Sequence, residues 1–289
     1  MSEPLTSTAP GAEVVSAHDR RSPAARSLRA LAILLIAAGA LALLDGLVTL
    51  VWQEPITALV ALIRQDHLSS DLRQVERAPP TPVEQRALAS LPEERTRISY
   101  LAGEEERHSA NDAPVGRIWI PRVDANYVVV KGTDTEDLKS GPGIYPETRF
   151  PGIPGTTAIA GHRTTWLAPF REINFLKPGN HIMLYMPYAH FTYTVTGQRV
   201  VSPNDVNAAI AQVGYTRLVL SACTPVFTAE KRLLVYARLT RTVPVGAARL
   251  LPGGAIPQPI EAQPHPAPAA HVLPAMLVSL DPNSVSPLV

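Results

Sequence analysis

Short runs of β-branched and aromatic residues fill the chain between residues 115 and 240, and glycine, proline, asparagine and aspartate separate them. Each run has the length of a single strand, and the separating residue types favour turns. The runs are GRIWIP (116–121), NYVVVKG (126–132), TTAIAGH (156–162), HIMLYMP (181–187), FTYTVTGQRVV (191–201), RLVLSAC (217–223) and KRLLVYARLT (231–240). Seven or eight strands with short helical pieces between them predict a mainly β domain, either a closed barrel or a sandwich.

An apolar run of 23 residues, ALAILLIAAGALALLDGLVTLVW at positions 30–52, precedes this region. As a helix it is roughly 34 Å long, enough to span a hydrocarbon core of about 30 Å. Arg20, Arg21, Arg26 and Arg29 precede the run, and basic flanks favour the cytoplasmic side. We expect a single-pass transmembrane helix with a cytoplasmic N-terminus and an extracellular C-terminal part. The length and late start of the run favour this reading over a cleaved signal peptide.

The other segments are distinguished by composition. Residues 1–29 are polar and are predicted to be a disordered cytoplasmic N-terminus, and residues 242–289 form a Pro-rich tail. Residues 53–113 are predicted to be an extracellular stalk or linker. Within them, Thr81–Glu84 combines a helix N-cap, a proline at the first helical position and a capping-box glutamate, so a short helix should follow. Residues 114–241 remain as the β domain.

A single cysteine, Cys223, ends the apolar run RLVLSAC. One thiol forms no internal disulfide, so it is either a small buried hydrophobe or a reagent. In an exported domain structural cysteines are usually paired, which favours the reagent. The net charge of +1 offers no basic surface, so no nucleic-acid partner is expected.

A thiol attacks as the thiolate, so a catalytic cysteine needs a base or a cation nearby. Of the eight histidines, His162, His181 and His190 lie in the β region. His162 ends an apolar strand directly before a loop, where functional side chains are commonly exposed. His181 and His190 begin strands in polar surroundings, which is typical of surface or turn histidines.

Arg232 begins the last predicted strand, one hairpin after Cys223, and its guanidinium can stabilise a developing oxyanion. Alternation along that strand predicts one face formed by Arg232, Leu234, Tyr236 and Arg238, and an opposite face formed by Leu233, Val235, Ala237 and Leu239. Arg238 lies about 20 Å further along and is expected to be solvated.

Three motifs, AIAGHRTTWLAPF, LVLSACTP and KRLLVYARL, occur in that order. They resemble the His, Cys and Arg motifs of sortases, the membrane-anchored cysteine transpeptidases of Gram-positive bacteria. The pattern GHRTT…APF, the stalk and the N-terminal span resemble class E or related actinobacterial-type housekeeping sortases. The resemblance covers about residues 115–240 and implies a closed sortase-type β-barrel in which His162, Cys223 and Arg232 are catalytic.

The resemblance also implies the reaction. Cys223 would attack the Thr–Gly bond of a C-terminal LPxTG or LAxTG sorting signal on a surface protein. His162 would protonate the leaving amine and then deprotonate the amine of a peptidoglycan precursor, while Arg232 would bind the peptide and offset negative charge. No cofactor and no metal are expected. The candidate substrate-binding residues are Thr164, Trp166, Ser221 and Thr224.

Two of the motifs depart from the family pattern. Ala222 stands before the cysteine where the family usually has threonine, so that hydroxyl is missing. Trp166 and Leu167 stand where many class E-like members have Tyr-Gly, which affects the expected signal preference. The acidic group formed by Asp134, Glu136 and Asp137 is interpreted as a solvated face rather than a calcium site.

Three other interpretations stay open at this point. Cys223 can be a buried strand cysteine, although the matching His and Arg motifs argue against it. An exported L,D-transpeptidase resembles Ser-x-Gly-Cys-x-Arg at its nucleophile, and SACTP lacks that glycine and arginine. A membrane-tethered β-barrel adaptor without activity would keep the fold but not need all three candidate side chains.

Overall fold

The computed structural model describes residues 23–51 and 55–249. The chain divides into two units, Met1–Val51 and Trp52–Val289. The predictions for residues 1–22 and for residues 250–289 of the tail lie outside the described residues.

The first unit contains helix α1, Pro23–Val51. Within it, Ser27–Gly46 has a mean hydropathy of 2.3 and none of it is buried in the structure. A helix of this length and composition fits a membrane anchor. This apolar window begins three residues before the predicted run and ends at Gly46, one residue after Asp45.

The second unit contains an eight-stranded closed barrel, so the predicted mainly β fold is confirmed. Around the barrel the strands follow the order β1-β2-β3-β4-β7-β8-β6-β5. Their bounds are Pro114–Ile120 (β1), Ala125–Lys131 (β2), Gly143–Ile144 (β3), Thr156–Ala160 (β4), His181–Tyr185 (β5), Ala189–Val201 (β6), Arg217–Thr224 (β7) and Lys231–Pro244 (β8). Seven of these correspond to the predicted runs, and β3, with two residues, is too short to show a pattern.

Alternation along the strands separates an interior from an outer face. Leu233, Val235 and Ala237 of β8 belong to the main buried cluster, together with the alternate residues of β7. Leu234 and Tyr236 belong instead to a second cluster on the opposite side of β8. This is the division of faces that period-two alternation predicted for the strand.

In the described part of the second unit, three helices precede the barrel: α2 (Pro55–Arg77), α3 (Pro82–Ser90) and α4 (Glu94–His108). The predicted capping box is present at the start of α3, where the Thr81 backbone N–H donates to the Glu84 carboxylate and the Glu84 N–H donates to the Thr81 hydroxyl. Helix α4 lies within residues 53–113, the predicted stalk.

Helices α2 and α4 contribute side chains to the packed core. Leu68 and Leu72 of α2 form a buried cluster with Val128 and Val130 of β2. From α4, Ile98 and Ala102 join the main core, and the buried Arg97 donates from Nε to the Ala248 carbonyl at 2.9 Å. Much of the segment described above as a stalk is therefore packed against the barrel.

Two further helices lie between strands: α5 (Thr135–Ser140) and α6 (Asn207–Ile210). Both agree with the short helical pieces expected between the strands. The acidic residues at the start of α5 form a capping box, in which the Asp137 carboxylate accepts from the Asp134 N–H at 3.0 Å, and Glu136 pairs with Lys139. Two of the three acids therefore stabilise the helix start, and the third forms a surface ion pair.

Candidate active site

The ends of three neighbouring strands bring the sequence-predicted residues together. Strands β4 and β7 run parallel with Ala160 opposite Ser221, and the Gly161 N–H donates to the Ser221 carbonyl at 3.0 Å. Continuing this register places His162 beside Cys223. On the other side of β7, Cys223 lies directly opposite Arg232 of β8. His162, Cys223 and Arg232 therefore form one row across three adjacent strand positions.

This row lies on the outer face of the barrel. Leu220 and Ala222 of β7 belong to the interior cluster, so alternation turns Ser221 and Cys223 outward. Outward residues farther along these strands, among them Val219 of β7 and Leu234 of β8, belong to a cluster that includes Ala209 of α6. The row of His162, Cys223 and Arg232 lies beyond the part of the outer face that this cluster covers.

Cys223 is an unpaired, half-buried thiol. It is the chain's single cysteine. Partial exposure at a strand end, next to a histidine and an arginine, is the environment expected of a reactive thiol rather than an inert core cysteine.

The His162 side chain is half-buried, and its Nε2 atom is buried without a hydrogen-bond partner among the described residues. Burial lowers the pKa of the imidazole below its ordinary value near 6.5. The ring is therefore mostly neutral at neutral pH and can accept a proton.

The loop that follows His162 is tightly held. The Phe170 N–H donates to the His162 carbonyl at 3.0 Å. A Cβ added at Gly161 would meet the Phe170 ring at 2.6 Å, so only glycine lets the ring pack there without a shift. Phe170 itself is fully buried. The backbone of His162 is thus anchored by a core aromatic residue.

Arg232 is half-buried, and its Nη1 donates to the Ala229 carbonyl at 3.1 Å. Among the described residues, no ion pair includes it. Its guanidinium keeps donors available for a ligand on the same face as Cys223. Arg238 is exposed and stacks on the Tyr215 ring with its Cζ 5.0 Å from the ring centroid, in agreement with the expectation that it is solvated.

The four candidate substrate-binding residues lie in different surroundings. Thr164 and Thr224 are half-buried near the row. Ser221 is 3% exposed, and its hydroxyl accepts from the Tyr145 hydroxyl at 3.3 Å, so the structure places it in a packed layer.

Trp166 lies in a strained part of the loop. Trp166, Leu167 and Ala168 have φ angles of 53°, 65° and 42°, in the left-handed region that non-glycine residues rarely adopt. The Trp166 ring centroid lies 5.7 Å from Cζ of Arg64 on α2 and 5.5 Å from Nζ of Lys139 on α5. The loop is therefore held by contacts with two helices.

A further residue of the site, Arg163, was missed by sequence reasoning. It is 5% exposed, and its Nη1 donates to the Cys223 carbonyl at 3.3 Å and to the Thr224 hydroxyl at 3.2 Å. Its position after His162 in the GHR motif was the only sequence signal. Arginine is mostly exposed in proteins, so nothing in the pattern indicated burial.

Comparison with known proteins gives a consistent result. Residues 118–240 match the family model described as a Sortase domain. Sortase D of Bacillus subtilis (strain 168) is 32% identical over 126 residues, which cover 43% of this chain and 62% of that protein. Sortase SrtE1 of Streptomyces coelicolor (strain ATCC BAA-471 / A3(2) / M145) is 29% identical over 142 residues, covering 44% of this chain and 40% of that protein.

Among solved structures, sortase E from Streptomyces avermitilis is 33% identical and covers 50% of this chain and 98% of that chain, with a TM-score of 0.43. The chain spans less than two thirds of the length of the two curated relatives, at 62% and 40%.

Proposed function

This chain belongs to the sortase family of cysteine transpeptidases, and we propose that it cleaves a C-terminal LPxTG- or LAxTG-like sorting signal between Thr and Gly. The cleaved protein is then transferred to an amine of a peptidoglycan precursor in the cell wall. The observation that carries this proposal is the row formed by His162, Cys223 and Arg232 on one outer face of the barrel.

The first step uses the neutral imidazole. His162 accepts the thiol proton, and the Cys223 Sγ attacks the threonine carbonyl carbon to form a C–S bond. The tetrahedral intermediate collapses, the C–N bond to glycine breaks, and His162 returns its proton to the leaving amine. The lowered pKa of His162 supports this assignment, because a neutral base is needed at the start and a strong acid afterwards.

The second step reverses the roles. The incoming amine attacks the thioester carbon, His162 accepts the amine proton, and the Cys223 thiolate leaves with the electron pair of the C–S bond. An amide bond replaces the thioester, so no net oxidation or hydrolysis occurs. His162 then returns the proton to the thiolate.

Arg232 stabilises the negative oxygen of both tetrahedral intermediates and binds the peptide. Its guanidinium stays charged throughout, lies directly opposite Cys223 in the β7–β8 register, and has no acidic partner among the described residues. Preorganised positive charge of this kind is among the largest contributions to acyl-transfer catalysis.

Substrate contacts are assigned to side chains around the row. Thr164 and Trp166 on the strained loop, with Thr224 and Ser221 on β7, are the candidate substrate-binding residues. The burial of Ser221 favours a supporting role for it, through the layer that includes Tyr145.

Helix α1 anchors the enzyme in the membrane once, with the N-terminus in the cytoplasm and the barrel outside the cell. The apolar window Ser27–Gly46 and the preceding Arg20, Arg21 and Arg26 support this topology. The enzyme thereby meets exported proteins that carry a sorting signal and the wall precursor that supplies the amine.

The test uses the whole chain in detergent, so that both α1 and the contact of α2 with β2 are kept. Fluorogenic LAxTG and LPxTG peptides are incubated with an amine acceptor, and the wild type is compared with Cys223→Ala and with Arg238→Gln. We expect cleavage at Thr–Gly and an amine-linked product with the wild type and Arg238→Gln alone. Cleavage by Cys223→Ala, or none by the wild type while Cys223 stays unreactive to a thiol probe, would contradict the proposal and favour an adaptor.

A further inference from the structure

We propose that Arg163 is a positioning residue for the nucleophile: it fixes the main chain at Cys223 and holds a positive charge beside the thiolate. This inference rests on the proposed function only in taking Cys223 as the reacting group.

Arg163 joins two segments of the site. Toward β7, its Nη1 donates to the Cys223 carbonyl at 3.3 Å and to the Thr224 hydroxyl at 3.2 Å. In the other direction, Nε and Nη2 donate to the Arg171 carbonyl at 3.1 and 3.0 Å, and Nη2 donates to Asn174 Oδ1 at 2.7 Å. The planar guanidinium therefore bridges the end of β7 to the segment after the His162 loop.

This bridge sets the spacing between the two reacting side chains. His162 precedes Arg163 directly, so the backbone that carries the imidazole also carries the guanidinium that holds the Cys223 carbonyl. Strand β7 has reached its last residue, Thr224, at this point, and ladder hydrogen bonds hold a strand end weakly. Arg163 supplies the side-chain contacts that keep Cys223 in place.

The charge of Arg163 is buried without a carboxylate. The residue is 5% exposed, all its hydrogen-bond acceptors above are neutral oxygens, and no ion pair among the described residues includes it. Buried charges are normally paired, because desolvation is costly. An unpaired buried cation is complementary to an anion that exists only during part of the reaction, and the thiolate of Cys223 is such an anion.

The titration of Arg163 fits this picture. Burial, and then the like charge of Arg171, lower the pKa of Arg163, while the negative charge of an ionised Cys223 opposes that shift. The attraction between guanidinium and thiolate acts on both groups. Losing the positive charge of Arg163 should therefore slow the reaction of Cys223 with electrophiles.

The experiment separates geometry from charge in the full-length chain in detergent. Arg163→Gln removes the charge, Arg163→Lys keeps the charge but not the fork of donors, and Arg238→Gln is the matched control on the exposed part of β8. Three quantities are measured: the rate of iodoacetamide alkylation as a function of pH, kcat and KM for the peptide, and the melting temperature. Since the chain has a single cysteine, alkylation reports Cys223 alone.

We expect Arg163→Gln to shift the alkylation profile toward higher pH and to lower kcat by about 10- to 100-fold with little change in KM. Arg163→Lys should keep the alkylation profile and still lose about tenfold in kcat, because its single ammonium cannot make the same bridge. Arg238→Gln should match the wild type. An unchanged alkylation profile and kcat in folded Arg163→Gln would overturn the proposal.

If Arg163→Gln does not fold, Asn174→Ala decides the question, since it removes one anchor of the guanidinium and leaves its charge. A fall in kcat of about threefold at an unchanged melting temperature supports the bridge, and an unchanged kcat overturns it. The alkylation profile needs no peptide, so it tests Arg163 even if the assigned sorting signal is wrong.

Discussion

Two parts of the barrel's outer surface differ in how far other elements cover them. On β2, the outward Val128 and Val130 are covered by Leu68 and Leu72 of helix α2. On β7, outward residues are covered only along part of the strand, and Cys223 lies beyond that cover. Both faces arise from the same alternation of side chains, so what differs is the element laid over them.

The two regions also differ in how completely their polar groups are hydrogen-bonded. Over β2, the Gln65 amide accepts from the Val128 N–H at 2.8 Å and donates to the Val128 carbonyl at 3.2 Å, which ties the helix to the strand. At the end of β4, His162 Nε2 is buried without a partner among the described residues. The covered face gains stability from its paired polar groups, whereas the end of β4 leaves a polar atom of His162 without a protein partner.

The largest expected effect is on the open face. Cys223→Ala should lower transpeptidation by about 10³-fold or more, because no other described group in the row can form the thioester. The half-exposed position predicts a melting temperature close to that of the wild type. Chromatographic quantification of the amine-linked product measures the first quantity, and calorimetry measures the second. A large loss of stability would mean that Cys223 is a packing residue.

On the covered face, Leu72→Ala should lower stability and leave activity unchanged. Leu72 is 1% exposed, so the substitution should cost about 2–5 kcal/mol in the free energy of unfolding. Activity per folded molecule should stay unchanged. Leu62→Ala on the same helix is the matched control, because Leu62 is 44% exposed and should change stability by less than about 0.5 kcal/mol. Equal effects in denaturant titrations would show that α2 does not cover the barrel in this way.

Arg232→Lys sharpens the comparison within β8. Lysine keeps the charge but loses the planar fork of donors, so kcat/KM should fall by about 10- to 100-fold. Arg238→Lys on the same strand face should leave kcat/KM unchanged, because Arg238 is exposed beside Tyr215. Steady-state kinetics of the two variants side by side makes the test. Equal losses in the two variants would contradict a specific role for the Arg232 guanidinium beside Cys223.

The smallest effect concerns acid stability. Burial lowers the pKa of His162 in the folded state, so the unfolded chain binds a proton more readily. In the wild type, the stability that neutral His162 contributes is fully present at a pH above the ordinary pKa of about 6.5. It is lost as the pH falls toward the lowered pKa of the folded state. His162→Gln should therefore lose less stability on acidification. Melting temperatures at neutral and mildly acidic pH test this, and an equal drop in both proteins would contradict it.

Much of the barrel followed from local pattern. Along strands such as β8, successive residues pack on opposite sides of the sheet, so sequence order indicates the face of each residue. The Thr81 capping box is equally local, since its partners lie three residues apart. The predicted runs placed His162, Cys223 and Arg232 at or near strand ends, and the resemblance to the sortase motifs indicated their roles.

The parts that sequence did not reveal depend on distant partners. Helix α4 buries a narrow stripe, Ile98 and Ala102, within a mostly charged sequence, and its buried Arg97 is satisfied by Ala248, 151 positions away. The acceptors of Arg163 on β7 lie 60 or 61 positions along the chain. Such contacts leave no periodic pattern in the sequence, because their partners are brought together only by the folded structure.

The central claim is that Cys223 carries the cleaved peptide as a thioester. Full-length wild-type chain is mixed with an excess of sorting-signal peptide without an amine acceptor, quenched in acid, and analysed by intact-protein and peptide mass spectrometry. The account predicts an adduct on Cys223 whose mass equals the peptide segment through threonine, which disappears on addition of the acceptor amine. Turnover of the peptide without any adduct on Cys223, and equal turnover by Cys223→Ala, would contradict it.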